Sequence, residues 1–296
     1  MKIIVTGALG NISLPLTKNL VANGHDVIVV SRTPERKSEI ENLGAKAAIG
    51  ELDNADFLTE TFSGADSVYL MIPPDYRAAD MTAYISEAGK IYAEAVKKSG
   101  VKNLVVLSSM GAHLPLGNGP LSALTLVEKT YNDLQNVNIT YLRPGGFYVN
   151  YLPSIGLIKA AGIIGDNTSP ESRMLLTHPA DIADVAADAL QNPVAGTTYR
   201  FIISQETTNN EIASTIGNAI GKPELPWVQF PAADYKGALI QHGFSESAAQ
   251  SFVEMGDAFR EGRSWEEVDA RPQEIVRGKR SFADFVKEVF VPAYNA

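Results

Sequence analysis

The sequence predicts an α/β protein built on a doubly wound parallel sheet, with a smaller and mainly helical C-terminal lobe. Three observations predict it. Short β-branched and apolar runs alternate with helical patterns through the first half of the chain. Those runs are apolar throughout rather than alternating, as suits strands covered by helices on both faces. A glycine turn lies directly between the first run and the first helical pattern. Strand–helix alternation at this spacing implies βαβ units with right-handed crossovers.

The elements follow in order. Ile3–Thr6 reads as the first strand, and Ile12–Asn23 as a helix with Ile12, Leu16 and Leu20 on one face. Val27–Ser31 is a strand, Pro34–Leu43 a helix, Ala45–Ile49 a strand and Asn54–Phe62 a helix. Ser67–Ile72, Asn103–Ser108 and Ile139–Arg143 complete the strands of this half, separated by helices over 78–99 and Pro120–Gln135. The pattern changes after Pro144: residues 145–175 are rich in Gly, Pro, Ser and aromatics, with weak periodicity. Pro179–Gln191 is a clear helix, and Thr208–Glu211 is a capping box that opens another. Helices are expected over 232–242, 245–261 and 281–290. The division is 1–150 for the sheet domain and 151–296 for a closely packed C-terminal lobe, and strand 198–203 is free to rejoin the main sheet.

Composition narrows the function. The 296 residues carry a formal net charge of −9, which disfavours nucleic acid or an anionic membrane as the main partner. With no cysteine, thiol nucleophiles, disulfides and Cys-ligated metals are excluded. The His, Asp and Glu residues show no metal-ligand spacing, so no metal is expected. No apolar run approaches the ~20 residues of a membrane span, and the N-terminus lacks the apolar core of a signal peptide. A cytoplasmic protein is expected.

Thr6-Gly7-Ala8-Leu9-Gly10-Asn11-Ile12-Ser13 carries the first chemistry. A tight strand-to-helix turn needs glycine, and a diphosphate must approach the backbone with no Cβ in the way. The helix N-terminus then offers free N–H groups and partial positive charge. The spacing is G-x-x-G-x-x-S, with Ser13 in place of a third glycine. The second strand ends in Ser31-Arg32, where an NAD binder usually carries an acidic residue. A hydroxyl and a guanidinium suit a 2′-phosphate, so NADP(H) is expected ahead of NAD(H). After the third strand, Gly50-Glu51-Leu52-Asp53 offers a carboxylate and an apolar side chain for an adenine, or else a helix cap at Asp53.

Together these turns resemble the Rossmann-type, NmrA-like group of atypical short-chain dehydrogenase/reductases. Thr6–Ile12 is similar to that group's T-G-A-T-G-x-x-G, and Gly50–Asp53 to its G-D-L-x-D. Val68–Pro74, Leu142–Tyr148 and His178–Ala186 resemble its fourth strand, its L-R-P-G segment and its D-I-A-x-V-A helix. The resemblance implies that Gly7, Leu9, Gly10, Asn11 and Ile12 line the pyrophosphate and that Ser31 and Arg32 meet the 2′-phosphate. It places Glu51 and Leu52 beside adenine, and Met71, Ile72 and Pro73 along the nicotinamide ribose. Ser108, Gly146 and Phe147 fall near the nicotinamide ring.

The Tyr-x-x-x-Lys pair of the broader superfamily occurs nowhere in the chain. Aligning Glu128 with the family glutamate puts Leu124 at the lysine position. The remaining candidates for catalysis are Ser108 at the end of its strand, His113 in the following loop and Tyr148 after the proline turn, each with a purely structural alternative. The stripe Ala248, Phe252, Met255 and Phe259 reads as core, or as one wall of an apolar pocket. Two functions follow: an NADPH-dependent oxidoreductase on a small apolar acceptor such as a quinone, or a non-catalytic redox sensor with a regulatory protein partner. A homodimer is also open. A nucleotide-sugar epimerase or dehydratase is disfavoured, since those enzymes rely on the absent pair.

Overall fold

A topological reversal at the first strand organises the molecule, whose computed structural model describes all 296 residues. The strands are β1 (Lys2–Val5), β2 (Asp26–Ser31), β3 (Lys46–Ile49), β4 (Ser67–Leu70), β5 (Asn103–Leu107), β6 (Asn138–Pro144), β7 (Gly146–Phe147), β8 (Arg173–Thr177), β9 (Thr197–Ile203), β10 (Gln205–Thr208) and β11 (Ile275–Arg277). Eight of them form one sheet in the order β11-β9-β6-β5-β4-β1-β2-β3. Every pair in it is parallel. The chain runs outward from β1 to β3 and then returns to β4 on the other side. A crevice therefore opens beyond the carboxyl ends of β1 and β4, the usual ligand position in such sheets.

The helices are α1 (Ser13–Ala22), α2 (Lys37–Asn42), α3 (Ala55–Phe62), α4 (Met81–Ser99), α5 (Pro120–Asn132), α6 (Ser154–Ala161), α7 (Pro179–Gln191), α8 (Asn209–Ala219), α9 (Ala232–Gln241), α10 (Glu246–Arg260), α11 (Glu266–Ala270), α12 (Phe282–Phe285) and α13 (Val291–Asn295). None is long and apolar enough to cross a membrane. The pleat sorts the sheet's side chains into two cores. Ile3, Val5 and Tyr69 pack with α1 and α7, whereas Ile4, Val68 and Leu70 pack with α3, α4 and α5. Two buried faces explain why the strands carry no alternation.

The division at residue 150 does not coincide with a break in packing. β9 pairs with β6 from Thr197 to Ile202, β11 pairs with β9, and α7 shares the first core with α1. The C-terminal half thus supplies two strands and one covering helix to the main layer. A second, three-stranded sheet, β10-β8-β7, and a separate core including Tyr148, Ile158, Trp227 and Phe285 make up the smaller lobe.

Several local expectations change. Residues 145–175, weak in periodicity, contain β7, α6 and the start of β8; their pairing is tertiary, so the sequence carried little local sign of it. The second helix opens as a 3-10 turn, Pro34–Arg36. The cap of α3 is Asn54, which accepts from Phe57 N at 3.0 Å, rather than Asp53. His178 caps α7 through Nδ1, and the Thr208–Glu211 capping box forms in full. Residues 281–290 start as an α-helix, Phe282–Phe285, and widen into a π-turn, Val286–Phe290. On α10 the fully buried residues are Ala248, Ala249, Val253, Gly256 and Ala258, while Phe252, Met255 and Phe259 are half-buried flanks. Small residues win that face because the neighbour is close: a Cβ on Gly256 would lie 2.1 Å from Asn167 Oδ1.

Candidate functional site

The turn after β1 is held from both sides. Thr6 Oγ1 donates to Tyr69 O at 3.1 Å and accepts from Met71 N at 2.8 Å, which pins the end of β1 to the end of β4. Ser13 Oγ donates to Thr6 O at 2.9 Å and so ties the start of α1 back to the strand. Gly7 adopts φ +90°, and a Cβ there would lie 2.8 Å from both Met71 and Ser13. Glycine is required on both counts.

The amides of Leu9, Asn11 and Ile12 donate to no other group of the protein. Ile12 caps α1 without a side-chain acceptor, and no acidic residue lies in the first turn. Bare N–H groups and an uncompensated helix N-terminus favour an anion. Asn11 and Ile12 border a cleft of about 400 Å³. Its walls bring together Gly7, Gly10, Asn11, Ile12, Ser31, Arg32, Leu52, Met71, Pro73 and Phe147, with Ala8, Ser13, Val30, Thr33, Arg36 and Leu107.

At the β2 end, Ser31 is buried and its hydroxyl accepts from Thr33 N at 3.1 Å. Arg32 is exposed and pairs with no carboxylate of the chain, so its guanidinium is free for a ligand. Arg36 reaches the same wall, a contribution the sequence analysis did not single out. Leu52 lines the cleft, whereas Glu51 points to solvent and lies off its walls. Leu9, Ile72 and Gly146 also stand outside the lining set; Leu9 is buried and packs in the first core.

Past Leu107 the polar groups are engaged with one another. Ser108 Oγ donates to Glu128 Oε1 at 2.5 Å. Arg143 donates to both oxygens of the same carboxylate, Nε to Oε1 at 3.0 Å and Nη2 to Oε2 at 2.5 Å. Arg143 also pairs with Glu267 on α11 and stacks over Tyr199, 4.4 Å from the ring centroid. Arg271 donates to Glu267 Oε1 at 2.7 Å and covers the same tyrosine ring at 4.5 Å. His113 Nδ1 lies 3.4 Å from Glu267 Oε2 without forming a hydrogen bond. Burial alone would raise the pKa of Glu267, but His113, Arg143 and Arg271 outweigh it and bring it down to about 2.

Of the candidate proton donors, Tyr148 stands outside the cleft lining. Its ring is fully buried among Phe282, Phe285 and His178, and its hydroxyl donates to Arg280 O at 3.0 Å. Packing in the lobe core, rather than the turn that precedes it, sets its direction. Sequence reasoning missed the Glu128–Arg143–Glu267 network, because Glu128 lies next to Lys129 on a helix with no local sign of its burial. Lys129 is exposed but Glu128 is buried. The signal was available: Arg143 sits inside an apolar strand, and a buried guanidinium demands carboxylates.

Residues 7–193 match the model of a family described as NAD(P)H-binding. The chain belongs to that NAD(P)H-binding family. Across nearly its whole length it is similar to an NAD(P)H azoreductase of Xenophilus azovorans, 25% identical over 293 residues and covering 96% of each chain. Among solved structures it resembles a Citrobacter sp. triphenylmethane reductase, with TM-score 0.81, 20% identity and all of both chains covered. It also resembles an Escherichia coli NADPH-dependent quinone oxidoreductase complexed with NADPH, with TM-score 0.80 and 19% identity over 97% of this chain and 99% of that one. At these identities the structural likeness establishes the shared fold. The cleft is compatible with the family's ligand: amides without a protein acceptor stand at the glycine turn, and an arginine without a carboxylate partner stands at the end of β2.

Proposed function

We propose that the chain is an NADPH-dependent oxidoreductase that reduces a small apolar acceptor such as a quinone. One observation carries the cofactor choice: Arg32, unpaired and beside Ser31, lines the cleft at the end of β2, where an acidic residue would select NADH. In this reading the amides of Leu9, Asn11 and Ile12 hold the pyrophosphate, and Ser31, Arg32 and Arg36 hold the 2′-phosphate. Leu52 covers the adenine, with Glu51 beside it at the solvent edge. Met71, Pro73 and Phe147 flank the nicotinamide end, and Ile72, Ser108 and Gly146 back them. The cofactor, when bound, supplies a hydride. The chain's task is to hold its C4 face against the acceptor and to keep water out. The azoreductase, quinone oxidoreductase and triphenylmethane reductase relatives support the class of reaction.

A redox-sensing role for the same NADP(H) site is favoured by one feature. Ser108 is engaged by Glu128 and Tyr148 by Arg280, so neither hydroxyl has its proton free at the nicotinamide end. Mixing the purified protein with NADPH and a panel of quinones, and following loss of nicotinamide absorbance, separates the two. Sustained turnover supports the enzyme; tight NADPH binding with no turnover supports the sensor. Arg32→Ala should weaken NADPH about tenfold, as befits an exposed charge-assisted contact, and leave NADH almost unchanged. An equal fall for both dinucleotides, or none, would remove the 2′-phosphate assignment.

A further inference from the structure

The chain has no cysteine, so its sulfur chemistry rests on six methionines. Met81, Met110 and Met174 are buried. Met1 is exposed, and Met255 is half-buried on α10; both lie off the cleft walls. Met71 alone lines the cleft, where it is half-buried just past the end of β4.

The backbone of Met71 is held on both sides. Its N–H donates to Thr6 Oγ1 at 2.8 Å, and its carbonyl accepts from Tyr92 Oη at 3.3 Å, on a ring that is fully buried. The side chain lies along the glycine turn: Cγ and Sδ each stand 2.8 Å from the point a Cβ on Gly7 would occupy. The thioether therefore rests on the turn whose next amides, those of Leu9, Asn11 and Ile12, have no acceptor in the protein. The Gly7 side of the sulfur has no room for another atom. An atom bonded to Sδ must enter the cleft or push the turn aside.

We propose that Met71 is an oxidation site through which a peroxide closes the cleft to the dinucleotide, and that a bound dinucleotide shields it. A lone pair of Sδ attacks one oxygen of hydrogen peroxide. The O–O bond breaks and an S–O bond forms. The sulfur loses two electrons, and the proton of the transferred hydroxyl passes to the departing hydroxide, which leaves as water. The product replaces a flexible apolar thioether with a polar sulfoxide. Its oxygen carries partial negative charge beside the helix N-terminus that would hold the diphosphate, and it repels the diphosphate oxygens there. Only dinucleotide binding in the cleft is required, not turnover of an acceptor, so the oxidoreductase reading can fail without touching this site.

The test treats the full-length protein and Met71→Leu with hydrogen peroxide, with and without saturating NADP⁺, and quenches with catalase. Peptide mass spectrometry reads the sulfoxide at each methionine, and calorimetric titration then reads NADP⁺ affinity. Met71 should oxidise at least tenfold faster in the free protein than under NADP⁺, while NADP⁺ leaves the rates at Met1 and Met255 within twofold. Protein oxidised in the free state should bind NADP⁺ at least tenfold more weakly, and methionine sulfoxide reductases should restore its affinity. Met71→Leu, compared with its own untreated sample, should lose less than twofold. The shielding and repair readouts use the natural chain, so they decide the matter even where Met71→Leu folds poorly. Equal oxidation of Met71 with and without NADP⁺, undiminished affinity in protein whose Met71 is oxidised, or a matching loss in Met71→Leu overturns the proposal.

Discussion

Replacing Glu128 with alanine should cost roughly 3–5 kcal/mol of stability, the penalty for taking from the buried Arg143 the carboxylate that holds it at two points and leaving it Glu267 alone. Arg143 and Glu128 are only 4% and 6% exposed, so water cannot take the place of the lost carboxylate. In a chain of this size that corresponds to a fall in melting temperature on the order of 10 °C. The pair joins α5 and β6, and Arg143 continues to Glu267 on α11 of the smaller lobe, so the loss is felt across both layers. Replacing both partners, as Glu128→Leu with Arg143→Met, should recover a large part of the loss, since an apolar pair strands no charge. Thermal unfolding of the two single variants and the double variant measures this coupling. If the double variant loses the sum of the singles, the ion pair is not the structural tie described.

The same network sets an acid limit. Glu267 falls from an ordinary 4.5 to about 2 in the folded protein. A folded-state pKa below the unfolded one gives stabilisation that is complete above about pH 4.5 and fades as pH falls towards about 2. Integrated over that window it amounts to roughly 3 kcal/mol. Glu267→Gln should therefore be clearly less stable than wild type at pH 7 and converge with it near pH 2. Urea unfolding across that range reads the difference; a gap that does not narrow with acid contradicts the assignment.

The main sheet was legible because its information is local. Apolar strands without alternation, the glycine turn and the helix signals each report on a few neighbouring residues, and the parallel sheet follows from their order. The cleft was legible for the same reason: Gly7, Gly10, Ser31 and Arg32 all lie at strand ends, and strand ends in a doubly wound sheet converge. What stayed hidden depends on distant partners. β7 and β8 pair across residues 146–177, and β10 returns antiparallel to β8. The burial of Glu128 is among these, because nothing near it in sequence reveals Arg143 folding against it. Tyr148 and Tyr151 are three residues apart on one turn, yet one points into the lobe core and bonds Arg280 while the other keeps its hydroxyl free. No periodicity distinguishes them: Phe282 packs on both rings, and Phe285 adds a contact to Tyr148 alone.

Gly7→Ala should abolish useful dinucleotide binding, with affinity for NADPH falling a hundredfold or more, which is about 2.7 kcal/mol. Two costs combine. An L side chain at φ +90° is strained by about 1 kcal/mol relative to glycine. The added methyl would also sit 2.8 Å from Met71 Cγ, Met71 Sδ and Ser13 Oγ, so one of those groups must move. Moving Ser13 breaks its bond to Thr6 O and tilts the start of α1, whose bare amides carry the phosphate contact. Moving Met71 pushes the end of β4 into the cleft. Gly24→Ala separates strain from site: Gly24 has φ +78°, but a Cβ there meets nothing within 4 Å. It should lose a similar small amount of stability and bind NADPH as wild type does. Calorimetric titration of both variants, with melting curves as the folding control, gives the answer. Wild-type affinity in folded Gly7→Ala, or an equal loss in Gly24→Ala, would mean that the glycine turn does not hold the diphosphate.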